Sequence, residues 1–234
     1  MNFNGKNIMI TGASGGMGEI LCEKLAKDGA NLALCSNDVA LLNKLTENLG
    51  KYDIKIVSEV VDVTDEMQVA AFVKKASQEL GKFDALANLA GLSIPTQYAE
   101  ADVAAYDKMI DVNVKGAFLM SKHFASVANN PSRIINIGSM AARNTNANAP
   151  IYCMAKAAVN KLSEGLLLQL GKQGIRVSTI NPGGADTTFW GDRPVDRSKL
   201  MSASDVVDVI YFVLGLNENI QLHCVDFESF SKYC

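Results

Sequence analysis

Ile8-Met9-Ile10-Thr11-Gly12-Ala13-Ser14-Gly15-Gly16-Met17-Gly18 is the stretch on which the fold turns. A short apolar run ends at Thr11, glycines stand at 12, 16 and 18, and a helical pattern begins at once. In that order, backbone N–H groups at a helix N-terminus meet a pyrophosphate, and glycines let the backbone turn tightly and approach it. A glycine-rich loop alone is most often only a turn. The strand before and helix after it are the context that makes it a dinucleotide phosphate turn. Gly12, Ser14, Gly15, Gly16, Met17 and Gly18 are its candidate contacts.

Outward from this turn, strand-like and helix-like runs alternate. Strands are predicted over 7–11, 31–36, 54–61, 85–90, 133–138, 175–181 and 220–227. Helices are predicted over 16–28, 39–49, 65–80, 101–128, 150–170 and 204–216, with Asp38 and Thr64 as N-caps of the second and third. This alternation predicts an α/β fold: a doubly wound (Rossmann), mostly parallel sheet of about seven strands with helices on both faces. No repeat, low-complexity tract or linker divides residues 1–234, so one domain is expected. In such sheets ligands bind outside the carboxyl ends of the strands. Gly12 to Gly18, Ser36 and Asn37, Asp62 and Val63, Asn88 to Gly91, Ser139, and Pro182 with Gly183 all fall at that edge.

Composition excludes several classes. The chain has 234 residues, 48% of them hydrophobic and 20% charged, which fits one substantial globular core. The net charge of −3 gives no reason to expect nucleic acid or an anionic membrane as partner. No apolar run approaches the length of a membrane span. The first strand begins close to Met1 and leaves no room for a signal peptide, so the cytoplasm is the expected location. Five cysteines, an odd number without a Cys-x-x-Cys pair, read as buried or incidental thiols. Cys153, beside Tyr152, is assigned to packing. His123 and His223 have no ligand-spaced partners, so no metal is expected.

The second informative stretch runs from Ser139, at the end of the apolar run 134–138, to Tyr152 and Lys156. Residues four apart on a helix share a face. An ammonium beside a phenol favours the phenolate, which makes a proton donor and acceptor usable near neutral pH. A serine hydroxyl arriving from a strand end can polarise a carbonyl oxygen in the same space. A Tyr-x-x-x-Lys pair alone is weak, because an exposed tyrosine and a solvated lysine produce it too. Its weight comes from the glycine turn.

With these motifs in order, the chain resembles a short-chain dehydrogenase/reductase along nearly its full length. Thr11 to Gly18 is similar to the family's Thr-Gly-x-x-x-Gly-x-Gly turn. Asp62 matches the acidic residue of the adenine pocket, and Asn88-Leu89-Ala90-Gly91 resembles the Asn-Asn-Ala-Gly motif, with Leu89 in place of the second Asn. Asn113, Ser139, Tyr152 and Lys156 match the catalytic tetrad. Asn181-Pro182-Gly183 followed by Thr187 matches the Pro-Gly-x-x-x-Thr segment near the nicotinamide. The resemblance implies Tyr152 as general acid or base, Lys156 as the group that lowers its pKa and holds the nicotinamide ribose, Ser139 as the orienter of the carbonyl, and Asn113 as the holder of a water linked to Lys156. It also implies a homodimer or homotetramer joined through the helices at 101–128 and 150–170, with Ala117, Phe118, Ala157, Leu166 and Leu170 as candidate face residues. The C-terminus departs from the family's Val-Asp-Gly-Gly: here Val225-Asp226 is followed by Phe227 and a short tail.

The cofactor is read from the end of the second strand. NAD enzymes of this fold usually carry a carboxylate there for the ribose 2′-OH. Here Ser36 and Asn37 stand in its place, and Asp38 is committed to capping. NADP is therefore favoured, with NAD the alternative, although no arginine follows Ser36 to pair with a 2′-phosphate. Residues 184–201 are expected to form a substrate lid, with Phe189 and Trp190 as apolar cover and Arg193, Arg197 and Lys199 as charge. The implied activity is hydride transfer between nicotinamide and a small carbonyl or secondary alcohol. 3-Oxoacyl-carrier-protein reduction is an alternative, weakened by the single basic residue in 128–133. A dinucleotide-sensing protein without chemistry is a further one, disfavoured because the whole tetrad stands.

Overall fold

The computed structural model describes residues 2–234. Nine strands and seven α-helices follow in chain order: β1 (Asn7–Thr11), α1 (Gly16–Lys27), β2 (Asn31–Ser36), α2 (Val39–Leu49), β3 (Ile56–Val60), α3 (Glu66–Leu80), β4 (Phe83–Asn88), α4 (Val103–Ile110), α5 (Gly116–Ala125), β5 (Ala128–Ile137), α6 (Pro150–Leu170), β6 (Ile175–Pro182), β7 (Ala185–Asp186), β8 (Met201–Ser202), α7 (Ala203–Leu214) and β9 (Cys224–Phe227). Seven strands form one sheet in the order β3-β2-β1-β4-β5-β6-β9, and every neighbouring pair is parallel. The order reverses between β1 and β4, and the crevice there is the switch point at which such sheets bind ligands.

Period-two alternation divides each strand between two apolar layers. Ile8 and Ile10 of β1 point into a core with Leu21 and Leu25 of α1, Leu42 and Leu45 of α2, and Val206 and Ile210 of α7. Met9, between them, points the other way, into a core with Val69 and Phe72 of α3 and Leu119 and Phe124 of α5, against which Leu166 of α6 packs.

The structure corrects several boundaries. Asp65, not Thr64, caps α3: its carboxylate accepts from the Met67 and Gln68 N–H groups. The Thr64 hydroxyl instead donates to Asp62. The helix expected over 101–128 is α4 and α5 joined by a π-helical stretch, Asp111–Lys115. Asn113 causes that bulge by inserting its side chain into the ladder, donating to the Met109 carbonyl four residues back at 2.8 Å. The last strand is only four residues long. In the polar segment 184–201, β7 and β8 pair with each other, with Ala185 opposite Met201 and Asp186 opposite Ser202, so the segment leaves and returns at one point.

Candidate active site

The glycine turn is built by contacts that a side chain would block. Gly12 has φ +62, and a Cβ there would lie 2.9 Å from the Ala90 nitrogen. A Cβ on Gly18 would lie 2.3 Å from the Gly12 carbonyl oxygen, so α1 starts directly against the end of β1. Gly16 faces Thr187, whose Cβ is 3.3 Å from where its own would stand. Gly15 is the N-cap of α1 and offers no side-chain cap, which leaves the first-turn N–H groups for an anion. The residues present therefore fit a dinucleotide's phosphates. Met17 lies partly buried against the core. Ser14 and Ser36 meet hydroxyl to hydroxyl at 2.6 Å. Asn37 is exposed, and Asp38 caps α2 through the Leu41 N–H at 2.9 Å.

Thr11 ties β1 to the end of β4 by accepting from the Leu89 and Ala90 N–H groups, both at 3.1 Å. Asn88 turns its side chain inward, donating to Asn136 Oδ1 at 2.8 Å and bridging β4 to β5. A bond between the central strands is thus made with Leu89 in place of a second Asn. The Asn88 side chain is spent on the scaffold, although its strand end remains at the crevice. Asp62 is exposed and accepts from the Thr64 N–H at 2.9 Å. Val63 is buried against Gly116.

Lys156 sits one turn beyond Tyr152 on α6, with Nζ 5.7 Å from the Tyr152 ring centre and donating to the Ile137 carbonyl at 2.8 Å. Asn113 comes from the π-helical stretch and donates to the Leu92 and Met109 carbonyls, which leaves its buried Oδ1 without a partner. A Cβ on Gly91 would lie 2.9 Å from that oxygen and 3.3 Å from Lys156 Nζ. A side chain at position 91 would thus press on both polar atoms, and glycine leaves them unobstructed. Ser139, extended at the end of β5, accepts from the Ala141 N–H at 3.1 Å. Pro182 ends β6, and the Gly183 N–H donates to the Phe227 carbonyl at 2.7 Å. Phe189 packs on Tyr152 with 5.9 Å between ring centres.

The electrostatics differ from the sequence-based expectation. Burial pushes the Tyr152 phenol up to about 12, and the nearby Ser139 hydroxyl pulls it the other way. Burial also pushes Lys156 down to about 8. Desolvation, which disfavours whichever form is charged, is the leading cause of both shifts. Tyr152 therefore holds its proton at neutral pH.

Reading the sequence alone missed the group that braces Ser139. Asn181, fully buried, accepts from the Ser139 N–H at 2.9 Å and donates to Asp226 at 2.7 Å and to the Cys224 sulfur at 3.0 Å. Arg143 closes the cluster, donating to Asp226 at 3.0 Å and to Cys224 at 3.1 Å. Cys224 is thus a bonded member of this cluster and not an incidental thiol. Cys153 is buried and accepts from the Asn146 N–H at 3.2 Å, in keeping with packing. Among the described residues, no group of three or more His, Cys, Asp or Glu could hold a metal ion.

The reversed strand order and the glycine turn at the reversal define a Rossmann dinucleotide-binding protein. Residues 6–197 match the short chain dehydrogenase family, and the chain belongs to this family of oxidoreductases. It is 33% identical over 221 residues to an uncharacterized oxidoreductase of Staphylococcus saprophyticus, covering 93% of this chain and 94% of the relative. Its fold is shared with a short-chain dehydrogenase/reductase of Serratia marcescens at TM-score 0.91 and 24% identity, covering 98% of both chains. A blue fluorescent protein from a metagenomic library, solved in complex with NADPH, superposes at TM-score 0.90 with 25% identity over 98% of both chains. A short chain dehydrogenase of Burkholderia cenocepacia, in complex with NADP, does so at 0.89 with 24% identity, covering 97% of this chain and 98% of the other.

Proposed function

We propose that the protein is an NADPH-dependent reductase of small carbonyl compounds, with Asn113, Ser139, Tyr152 and Lys156 as its catalytic residues. The observation that carries this reading is the convergence of a proton-holding Tyr152 and a buried Lys156 on the sheet edge that bears the glycine turn. With the dinucleotide's phosphates at that turn, its reduced nicotinamide would supply a hydride to the carbonyl carbon. Tyr152 gives its proton to the carbonyl oxygen, so that the two additions make an alcohol. The Ser139 hydroxyl orients that oxygen. Lys156, fixed by the Ile137 carbonyl, keeps a positive charge beside the phenol, and Asn113 Oδ1 holds a water from which the proton is replaced. Residues 184–201, hinged where β7 meets β8, are the lid, and the chain acts as one domain. The test is loss of reduced-nicotinamide absorbance across a panel of aldehydes and ketones, run with NADPH and NADH in parallel. Binding of reduced nicotinamide without turnover of any carbonyl would favour a sensing role instead.

The preference for NADPH rests on the absence of an uncommitted carboxylate at the end of β2, where the Ser14–Ser36 hydroxyl pair keeps one proton free to donate to a 2′-phosphate. Ser36→Asp sets a carboxylate against that phosphate. The expected result is a fall of at least about tenfold in kcat/KM for NADPH, roughly 1.4 kcal/mol, with a gain for NADH. An unchanged ratio of the two specificity constants would withdraw the NADPH assignment and leave the reductase reading in place.

The protein is further proposed to assemble as a dimer or tetramer through the outer faces of α4, α5 and α6. Of the residues expected on that face, Ala117 is buried, while Leu166 and Leu170 pack inward. Phe118 and Ala157 are exposed, joined by Val103, Met154 and Leu168, the last 80% exposed. Exposed apolar side chains of this size along three neighbouring helices support an association surface. Light scattering at micromolar concentration is expected to give at least twice the chain mass, and a purely monomeric reading would sink the assignment.

A further inference from the structure

The segment 184–200 carries three cations, and two are accounted for. Arg197 pairs with Asp186, and Lys199 is exposed to solvent. Arg193 is different. It is partly buried, and its guanidinium stands 5.0 Å from the ring centres of both Phe189 and Trp190. Its Nε donates to the Trp190 carbonyl at 2.7 Å, and Nη2 donates to the Phe189 carbonyl. Among the described residues no carboxylate lies within 4.0 Å of it to form an ion pair.

Those two bonds fix the plane of the guanidinium but do not exhaust it. Arginine has five N–H donors, so its outer edge still offers donors in the fork geometry that a carboxylate matches. The guanidinium is partly withdrawn from water with no counter-ion beside it, and that partial burial lowers the Arg193 pKa. The charge also reaches the reaction centre, since Arg193 and Tyr152 each favour the charged form of the other. Phe189, which the guanidinium covers, is the ring that packs on Tyr152. Tyr152, Phe189 and the unpaired Arg193 thus stand in succession, each against the next.

We propose that Arg193 is the receptor for an anionic group of the substrate, so that the preferred carbonyl compounds carry a carboxylate separated from the reacting carbonyl by a short apolar spacer. This deepens the reductase reading and rests on it for the identity of the reacting group. Carboxylate suits the site better than phosphate because a planar anion can meet the fork while its spacer lies along Phe189.

Trp190 is the only tryptophan in the chain and lies under the guanidinium, so its fluorescence reports on the receptor without turnover. Titration with benzoate is expected to change that signal saturably, with neutral benzamide at least about tenfold weaker. Arg193→Gln should abolish the distinction, and Arg193→Lys, which keeps the charge and loses the fork, should restore part of it. In turnover with NADPH, the kcat/KM ratio of 4-formylbenzoate to its methyl ester should fall at least about tenfold in Arg193→Gln. Equal binding of benzoate and benzamide, or an acid-to-ester ratio unmoved by Arg193→Gln, would overturn the proposal and leave Arg193 as a brace for the segment. If neither these aldehydes nor any carbonyl of the panel is reduced while the benzoate signal still depends on Arg193, the reductase reading fails and the anion receptor stands.

Discussion

Tyr152→Phe is expected to reduce carbonyl turnover by about 10²–10⁴-fold while reduced nicotinamide still binds. The substitution keeps the ring against Phe189 and removes only the hydroxyl. In the wild type burial pushes that phenol up to about 12, so the acid of the proposed reduction stays protonated throughout the neutral range. The reverse reaction needs the phenolate, so alcohol oxidation should rise steadily with pH through the alkaline range. Turnover and cofactor binding, measured side by side, check the assignment. A Phe variant that retains near wild-type turnover on a good substrate would remove Tyr152 from the chemistry.

Lys156→Met is expected to lower turnover by at least about 10²-fold and, at pH 7, to raise thermal stability. The lysine is 4% exposed and its folded-state pKa, about 8, lies below the unfolded value of 10.5. A depressed folded value means that the unfolded chain binds more protons between those two points. Wild-type stability should therefore rise with pH from about 8 to 10.5 and be lowest from this group below pH 8. The charged lysine costs roughly 3 kcal/mol at neutral pH, and loss of its bond to the Ile137 carbonyl returns about 1–3 kcal/mol of that on substitution. Tyr152 works in the other direction, with stability lost as pH rises from 10 toward 12. Melting curves of variant and wild type at pH 7 and pH 10 decide the matter: the variant's advantage should shrink at the higher pH. A constant difference would mean that the lysine is not the buried cation described here.

The readable part of this protein was the part written in local spacing. The glycine turn is eleven consecutive residues, and Tyr152 and Lys156 share one helix, so their juxtaposition follows from 3.6 residues per turn. The parallel sheet was readable because its strands are near-continuous apolar runs. What escaped depends on pairs distant in the chain. Asn181 meets Ser139 across 42 positions and Asp226 across 45, and no periodicity announces either. The pairing of β7 with β8 involves two residues on each side, too few to carry a pattern. Asn113 was legible as a motif residue but not as the cause of a π-bulge, because that depends on where its amide finds carbonyls. The pKa of Tyr152 was misjudged for a related reason: spacing gives the neighbour but not the burial, and burial dominates.

The brace on Ser139 also has a place in time. Chains are made from the N-terminal side, and domains fold in the order in which they appear. The strands that frame the crevice at the glycine turn, β1 and β4, lie within the first 88 residues. Asn181 acquires its partners Cys224 and Asp226 only when β9, the last strand in chain order, has been made. A chain still growing on the ribosome therefore holds the strands of the glycine-turn crevice before it holds the partners that fix Asn181. In the order of synthesis the support of Ser139 is therefore completed last, by the strand that lies at the far edge of the sheet.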